Sequence, residues 1–184
     1  SNVVISRFIG GAIFPVGLMM IVFIGGELFT GDCLVAMSIF DGKQKIKDCV
    51  KLLFLVYTGN LIGATLTAWF ISMSGQLNYS SGMLGAYTIK LAIGKANISF
   101  MQGIISGILC NILVCAAILM AMCAKDITGK LLVSFFVIML FVTGGFEHCV
   151  ANMYYITAGL FAINNPQYVE LAMDAYGFSQ EYLS

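Results

Sequence analysis

The sequence predicts an all-α polytopic membrane protein built around an inverted pair of broken transmembrane helices. Three observations lead there. Of the 184 residues, 60% are hydrophobic and only 10% are charged, with a mean hydropathy of +0.95. A soluble domain averages about 25% charged residues, so this chain lacks the polar surface to cover itself in water. The apolar residues fall into four charge-poor regions, 8–40, 52–73, 96–124 and 131–163. The first and last are too long for one crossing, and each is interrupted near its middle by a glycine pair followed by polar residues.

Region 8–40 contains Gly25–Gly26 and then Glu27, Thr30 and Asp32. Region 131–163 contains Gly144–Gly145 and then Glu147 and His148, the only histidine of the chain. A bilayer core needs about 20 helical residues. As straight helices these two regions would each measure about 50 Å at 1.5 Å per residue. Tilt absorbs excess length but not charges at mid-depth. Both regions therefore read as half-helix, irregular polar loop, half-helix, an arrangement tolerated only where the loop is buried in protein or lines a cavity. Regions 52–73 and 96–124 read as intact spans. Gly59 and Gly63 in one, and Gly103 and Gly107 in the other, have the spacing that lets membrane helices approach closely. All four regions are assigned to one transmembrane domain, residues 1–184.

Orientation follows from lysine. Lys43, Lys45, Lys47 and Lys51 lie between the first two regions, and Lys125 and Lys130 between the last two. Lys90 and Lys95 lie in the intervening loop, while the C-terminal tail carries Glu170, Asp174 and Glu181. The positive-inside rule places the first and third loops in the cytoplasm, so the two broken spans cross in opposite directions. The order broken, straight, straight, broken is palindromic. Two-span repeats cannot produce it in this sequence order. Three-span repeats lacking the outermost span at each end can. The expectation is a six-span fold whose first and last spans are missing from this sequence. Paired, glycine-interrupted segments in two halves are the best sequence pointer to a transport site.

Polar residues at mid-membrane are costly and usually face a bundle interior or a water-filled path. Asn60 reads best as a residue that hydrogen-bonds a neighbouring helix. Asn111 and Asn152 fit that role or one of tying the broken loops in place. His148, in a glycine-hinged break, is the candidate functional group. The six cysteines form no CxxC pair and read as buried, reduced thiols; a metal site would need a tighter Cys/His cluster. Zero net charge gives no reason to expect a nucleic-acid partner.

The strings GGELFTGDCLVAM and GGFEHCVANMYYITAG resemble the two hairpin-break motifs of the formate/nitrite transporter family. GNLIGA and GILCNILVC fall where that family has similar strings, and the clostridial hydrosulfide-channel branch is the nearest in character. The resemblance implies an aquaporin-like monomer, a pentameric assembly and a multi-pass place in the bacterial inner (plasma) membrane, with no enzymatic activity and no cofactor. It matches Thr30 to the threonine of the first broken loop and His148 to the central pore histidine. Phe14 and Phe141 match the extracellular-side constriction, and Leu18, Leu28 and Val114 the cytoplasmic-side one. Lys95, Asn111, Glu147 and Asn152 match a polar set running from the outer mouth to the broken loops. Asp32 departs from the pattern; inside an anion path it would repel, so it is expected to face away or toward the cytoplasmic exit.

Physical chemistry favours the same reading. A bare monovalent ion in a low-dielectric constriction faces an idealised cost of order 20 kcal/mol. Protonating a carboxylate of pKa ~4 at pH 7 costs only about 4 kcal/mol, and a thiol-like acid of pKa ~8.5 is already protonated. The easier route past two apolar constrictions is the neutral acid. An imidazole titrates near neutrality, Thr30 can donate a hydrogen bond, half-helix N-termini carry partial positive charge, and Lys95 would concentrate anions at the mouth. The expected partners are small inorganic or carboxylate anions, protons and membrane lipids. Three alternatives stand beside this. An aquaporin-like channel for neutral solutes fits the broken pair but lacks an Asn-Pro-Ala motif. A membrane enzyme would use Glu147, His148 and Cys149, yet adjacent helical residues do not face each other. A purely structural subunit needs no mid-membrane breaks.

Overall fold

The computed structural model describes residues 3–179, so Glu181 lies outside the described residues. These residues are helical, with no strand among them. Four helices are long and apolar enough to cross a bilayer: Val4–Ile24, Ile46–Met73, Phe100–Cys123 and Ile127–Gly144. Two shorter apolar helices, Phe29–Phe40 and Cys149–Ala162, follow the first and last of these. Each long region is thus two half-helices separated by a short irregular segment, as expected from the glycines and the buried polar residues.

The chain divides into two compact units. The first comprises residues 1–58 and 101–148. It begins with α1 (Val3–Ile13) and α2 (Pro15–Ile24). Pro15 has no amide hydrogen and sits at the first position of α2, the one place where that loss is harmless. After a break, α3 (Phe29–Asp32), a 3-10 turn (Cys33–Val35) and α4 (Ala36–Phe40) complete the second half. The unit takes the first part of α5 (Ile46–Met73) and nearly all of α7 (Phe100–Cys123), and it closes with α8 (Ile127–Gly144). Helices α1 and α2 pack on α8. Gly11 permits this: a Cβ there would come within 2.7 Å of Thr143 Cγ2. The face of α7 that turns inward is Cys110, Val114, Ala117 and Ala121, spaced three and four residues apart as a single helical stripe requires.

The second unit, residues 59–100 and 149–184, holds the rest of α5, α6 (Met83–Ala96), α9 (Cys149–Ala162) and α10 (Pro166–Tyr176). Helix α6 lies where the sequence suggested only a loop. Its small residues Gly85, Ala86 and Ala92, with Ile89, form its buried face. Leu77, Ala86, Ile89, Ala162, Tyr168 and Ala172 make the unit's core. The Tyr168 ring lies over Gly85, and its hydroxyl donates to Asn78 Oδ1 at 2.5 Å. Lys90, counted above for orientation, sits over the Tyr176 ring at 4.4 Å.

The close-packing glycines differ from those expected. Cβ atoms on Gly59, Gly63 and Gly107 would meet nothing within 4 Å, whereas at Gly31 and Gly159 they would come within 2.4 Å and 2.1 Å of neighbours. The six cysteines, expected to be buried, are all free, but only Cys49 and Cys110 are buried; Cys123 and Cys149 are exposed.

Candidate functional site

Both breaks belong to the first unit and share one construction. Helix α2 ends at Gly25, which takes the left-handed conformation (φ 78°, ψ 37°). Ile21 O accepts from both Gly25 N at 2.9 Å and Gly26 N at 3.1 Å. The chain then runs extended to Leu28 (φ −127°, ψ 118°), whose carbonyl accepts from Gly31 N and Asp32 N at 2.8 Å each and so starts the next half-helix. Helix α8 ends the same way at Gly145 (φ 74°, ψ 27°). Phe141 O accepts from Phe146 N at 3.2 Å, and helix resumes at Cys149 after His148. In each break a glycine supplies the positive φ that costs other residues strain. The glycine pairs are one residue out of step: Gly25 corresponds to Gly145, so Glu27 corresponds to Glu147.

The two breaks meet through their side chains. Thr30 Oγ1 lies 2.9 Å from His148 Nε2, within hydrogen-bond distance. Thr30 is 4% exposed and His148 is 8% exposed. The imidazole stacks on Phe141, with ring centroids 5.9 Å apart and planes 28° apart. Phe141 in turn meets Phe14 edge-on at 5.4 Å. Leu18, Val114 and Phe141 are buried in one apolar cluster against which Phe14 and Leu28 pack. Of the residues singled out in the sequence, Thr30, His148, Phe14, Phe141, Leu18, Leu28 and Val114 are therefore gathered in one unit.

The expected polar set divides between the units. Asn111 and Glu147 belong to the first, and Lys95 and Asn152 to the second. All four side chains are half-buried. Lys95 sits in the last turn of α6, where a cation complements the helix dipole. Asp32 does not sit among the apolar cluster. It lines a recess of about 280 Å³ together with Gly25, Gly26, Gly31, Ile118 and Lys130.

The sequence pattern described as Formate/nitrite transporter matches residues 1–178. The chain belongs to the formate/nitrite transporter family. It is 43% identical over 159 residues to the uncharacterized transporter YrhG of Bacillus subtilis, covering 86% of this chain and 59% of that protein. It is 35% identical over 156 residues to the formate channel FocA of Haemophilus influenzae, covering 85% of this chain and 55% of that protein. A solved pentameric formate channel with formate bound has the same fold, with a TM-score of 0.80 at 32% identity over 91% of this chain and 67% of that one. An FNT family ion channel aligns with a TM-score of 0.79 at 25% identity, over 94% of this chain and 70% of that one. The chain spans little more than half the length of the curated relatives it matches.

As a formate/nitrite transporter family member it is a multi-pass membrane protein with the aquaporin-like arrangement of broken helices. Three further residues support the site within this family fold. Ser106 Oγ accepts from Glu147 N at 2.8 Å and so fixes the second break to α7. Cys115 Sγ donates to Thr30 O at 3.5 Å, and Cys33 Sγ donates to Phe29 O at 3.2 Å. Part of this was visible in the sequence: Asn111 and Cys115, four residues apart, share one face of α7, whereas Ser106, nine residues before Cys115, lies on the opposite side of that helix.

Proposed function

We propose that this chain forms the path of a channel or transporter for small monovalent weak-acid anions, with formate first among formate, nitrite and hydrosulfide. The observation that carries the proposal is the buried Thr30–His148 pair, 2.9 Å apart and contributed by two facing helix breaks. The relatives named as formate channels support the choice of substrate.

An imidazolium has two N–H donors and no acceptor. When His148 is protonated, Nε2–H donates to Thr30 Oγ1, and the threonine hydroxyl hydrogen is free to turn toward an arriving anion. Charge-assisted hydrogen bonds of this kind are roughly twice as strong as neutral ones. The anion takes a proton at this pair and crosses the apolar cluster as neutral acid, avoiding most of the desolvation cost of a bare ion. Phe14 and Phe141 form the constriction on one side, and Leu18, Leu28 and Val114 the one on the other. Asn111 and Glu147 hold the breaks of their own unit. The lysine-rich loops face the cytoplasm of a bacterial cell, the protein sits in the plasma membrane among its lipids, and it assembles as a homopentamer like the solved formate channel. The path is one transmembrane domain.

Formate uptake into proteoliposomes, measured at pH 6 and pH 7.5, tests this. Uptake should rise as pH falls and should drop at least tenfold in His148→Phe. Uptake that ignores pH and survives His148→Phe unchanged would end the proposal. Water permeability without anion flux would point instead to a neutral-solute channel.

A further inference from the structure

Two thiols, one on the half-helix that carries Thr30 and one on α7, point at consecutive carbonyls of that half-helix. Cys33 Sγ donates to Phe29 O at 3.2 Å, and Cys115 Sγ donates to Thr30 O at 3.5 Å. The carbonyls of consecutive helical residues are about 1.5 Å apart along the helix axis and about 100° apart around it, so both sulfurs sit against one turn. Both side chains are half-buried and neither is in a disulfide. A recess approaches from beside them: its wall includes Gly31 and Asp32, next to Cys33, and Ile118, one turn from Cys115. No other cysteine shares these features. Cys49 and Cys110 are each only 1% exposed, and Cys123 and Cys149 are exposed.

We infer that Cys33 and Cys115 form a two-thiol site for a soft, thiophilic metal cation, and that filling it displaces Thr30 and blocks passage. Paired thiols select soft cations over hard ones. With Hg(II), each thiol loses its proton to water and forms one sulfur–mercury bond. Two protons leave, two bonds form, and no electrons are transferred. Both sulfurs then lose the hydrogens they donate to Phe29 O and Thr30 O. The half-helix loses the bond that Cys115 makes to it from α7.

The block rests on the transport reading above, but metal binding does not, and the experiment separates them. The protein in detergent is treated with HgCl2, then washed with excess 2-mercaptoethanol to strip singly held mercury. One mercury per chain should remain, and mass spectrometry should show Cys33 and Cys115 protected from N-ethylmaleimide. Cys33→Ser and Cys115→Ser, which keep a donor for each carbonyl, should each retain none. In proteoliposomes, the fraction of formate uptake blocked by micromolar HgCl2 should exceed nine-tenths, and the half-blocking concentration should rise at least tenfold in each serine variant. Mercury retained by both serine variants, alkylation of Cys33 and Cys115 despite mercury, or bound mercury with undiminished uptake would overturn the inference. If the untreated protein moves no formate, the transport reading fails, while stoichiometry and protection still decide the metal site.

Discussion

Leu28 and His148 occupy equivalent positions in the two helix breaks. Each is the last residue before the second half-helix resumes, three positions after a glycine in the left-handed conformation. One break ends in an apolar side chain and the other in an imidazole. The backbone at this position therefore accepts leucine, and the imidazole is a chemical asymmetry placed on a repeated scaffold. Its partner, Thr30, comes from the break that carries the leucine.

His148→Leu should consequently fold with its break intact but leave the Thr30 hydroxyl buried without its partner. A buried polar group left unsatisfied costs about 1–3 kcal/mol, whereas replacing both partners by apolar groups of similar shape is close to neutral. Thermal unfolding in detergent should show a lowered midpoint for His148→Leu, a lowered midpoint for Thr30→Val, and recovery of most of the loss in the double variant. Formate uptake should stay at least tenfold down in all three. A double variant no more stable than the singles would show that Thr30 and His148 are not energetically coupled.

The pH response should depend on the substrate's own acidity. The neutral fraction of a carboxylic acid of pKa ~4 falls about tenfold per pH unit above pH 5, while a thiol-like acid of pKa ~8.5 is almost entirely neutral below pH 7. If the neutral acid crosses, formate uptake rises steeply from pH 7.5 to pH 5.5, while hydrosulfide uptake, whose conjugate acid is far weaker, rises much less over the same range and levels off. Initial rates for both substrates in the same vesicles measure this. Equal slopes would mean that the protein's own titration, not the substrate's, sets the response.

The breaks were readable because their causes are local. Glycine at the turn, followed by ionisable residues inside an apolar run too long to be one span, leaves few other conformations at bilayer depth. The Thr30–His148 pairing was not derivable from spacing, because it joins residues far apart in sequence; family resemblance supplied it. The division of the first span into α1 and α2 at Pro15 was not readable because proline at a helix N-terminus barely disturbs hydropathy. Helix α6 was hidden for a different reason. A search for charge-free runs discards a segment holding Lys90 and Lys95, although its small residues repeat at helical spacing and bury one face. The GxxxG spacings misdirected because glycine shows where helices can approach, not where they do. Gly59, Gly63 and Gly107 face open space, while Gly11, Gly31 and Gly159, outside any such motif expectation, mark the close contacts.

The left-handed glycines give a test of the breaks themselves. A Cβ on Gly25 would meet nothing within 4 Å, and one on Gly145 would meet only Arg7 Nη2 at 4.0 Å. Any effect of substitution is then backbone strain, about 1–2 kcal/mol for a non-glycine residue in this region, with asparagine tolerated best. Gly25→Asn should lower the unfolding midpoint less than Gly25→Ala, and Gly25→Val should lower it most. A midpoint unchanged in Gly25→Val would mean that this turn does not need positive φ.

Two helical glycines, one in each unit, yield a contrast in sign. Glycine to alanine inside a helix normally stabilises by about 0.8–1.0 kcal/mol. At Gly107 on α7 the added methyl would meet nothing within 4 Å, so Gly107→Ala should raise or preserve the unfolding midpoint. At Gly159 on α9 the same methyl would come within 2.1 Å of Ala92 Cβ on α6. Ala92 has no rotamer with which to yield, so α6 and α9 must separate. Overpacking of this kind costs about 1–3 kcal/mol, which exceeds the helical gain, and the midpoint of Gly159→Ala should fall. Ala92→Gly in the same chain removes the opposing methyl and should restore much of the loss. Failure of that second change to restore stability would show that the α6–α9 contact is not the cause.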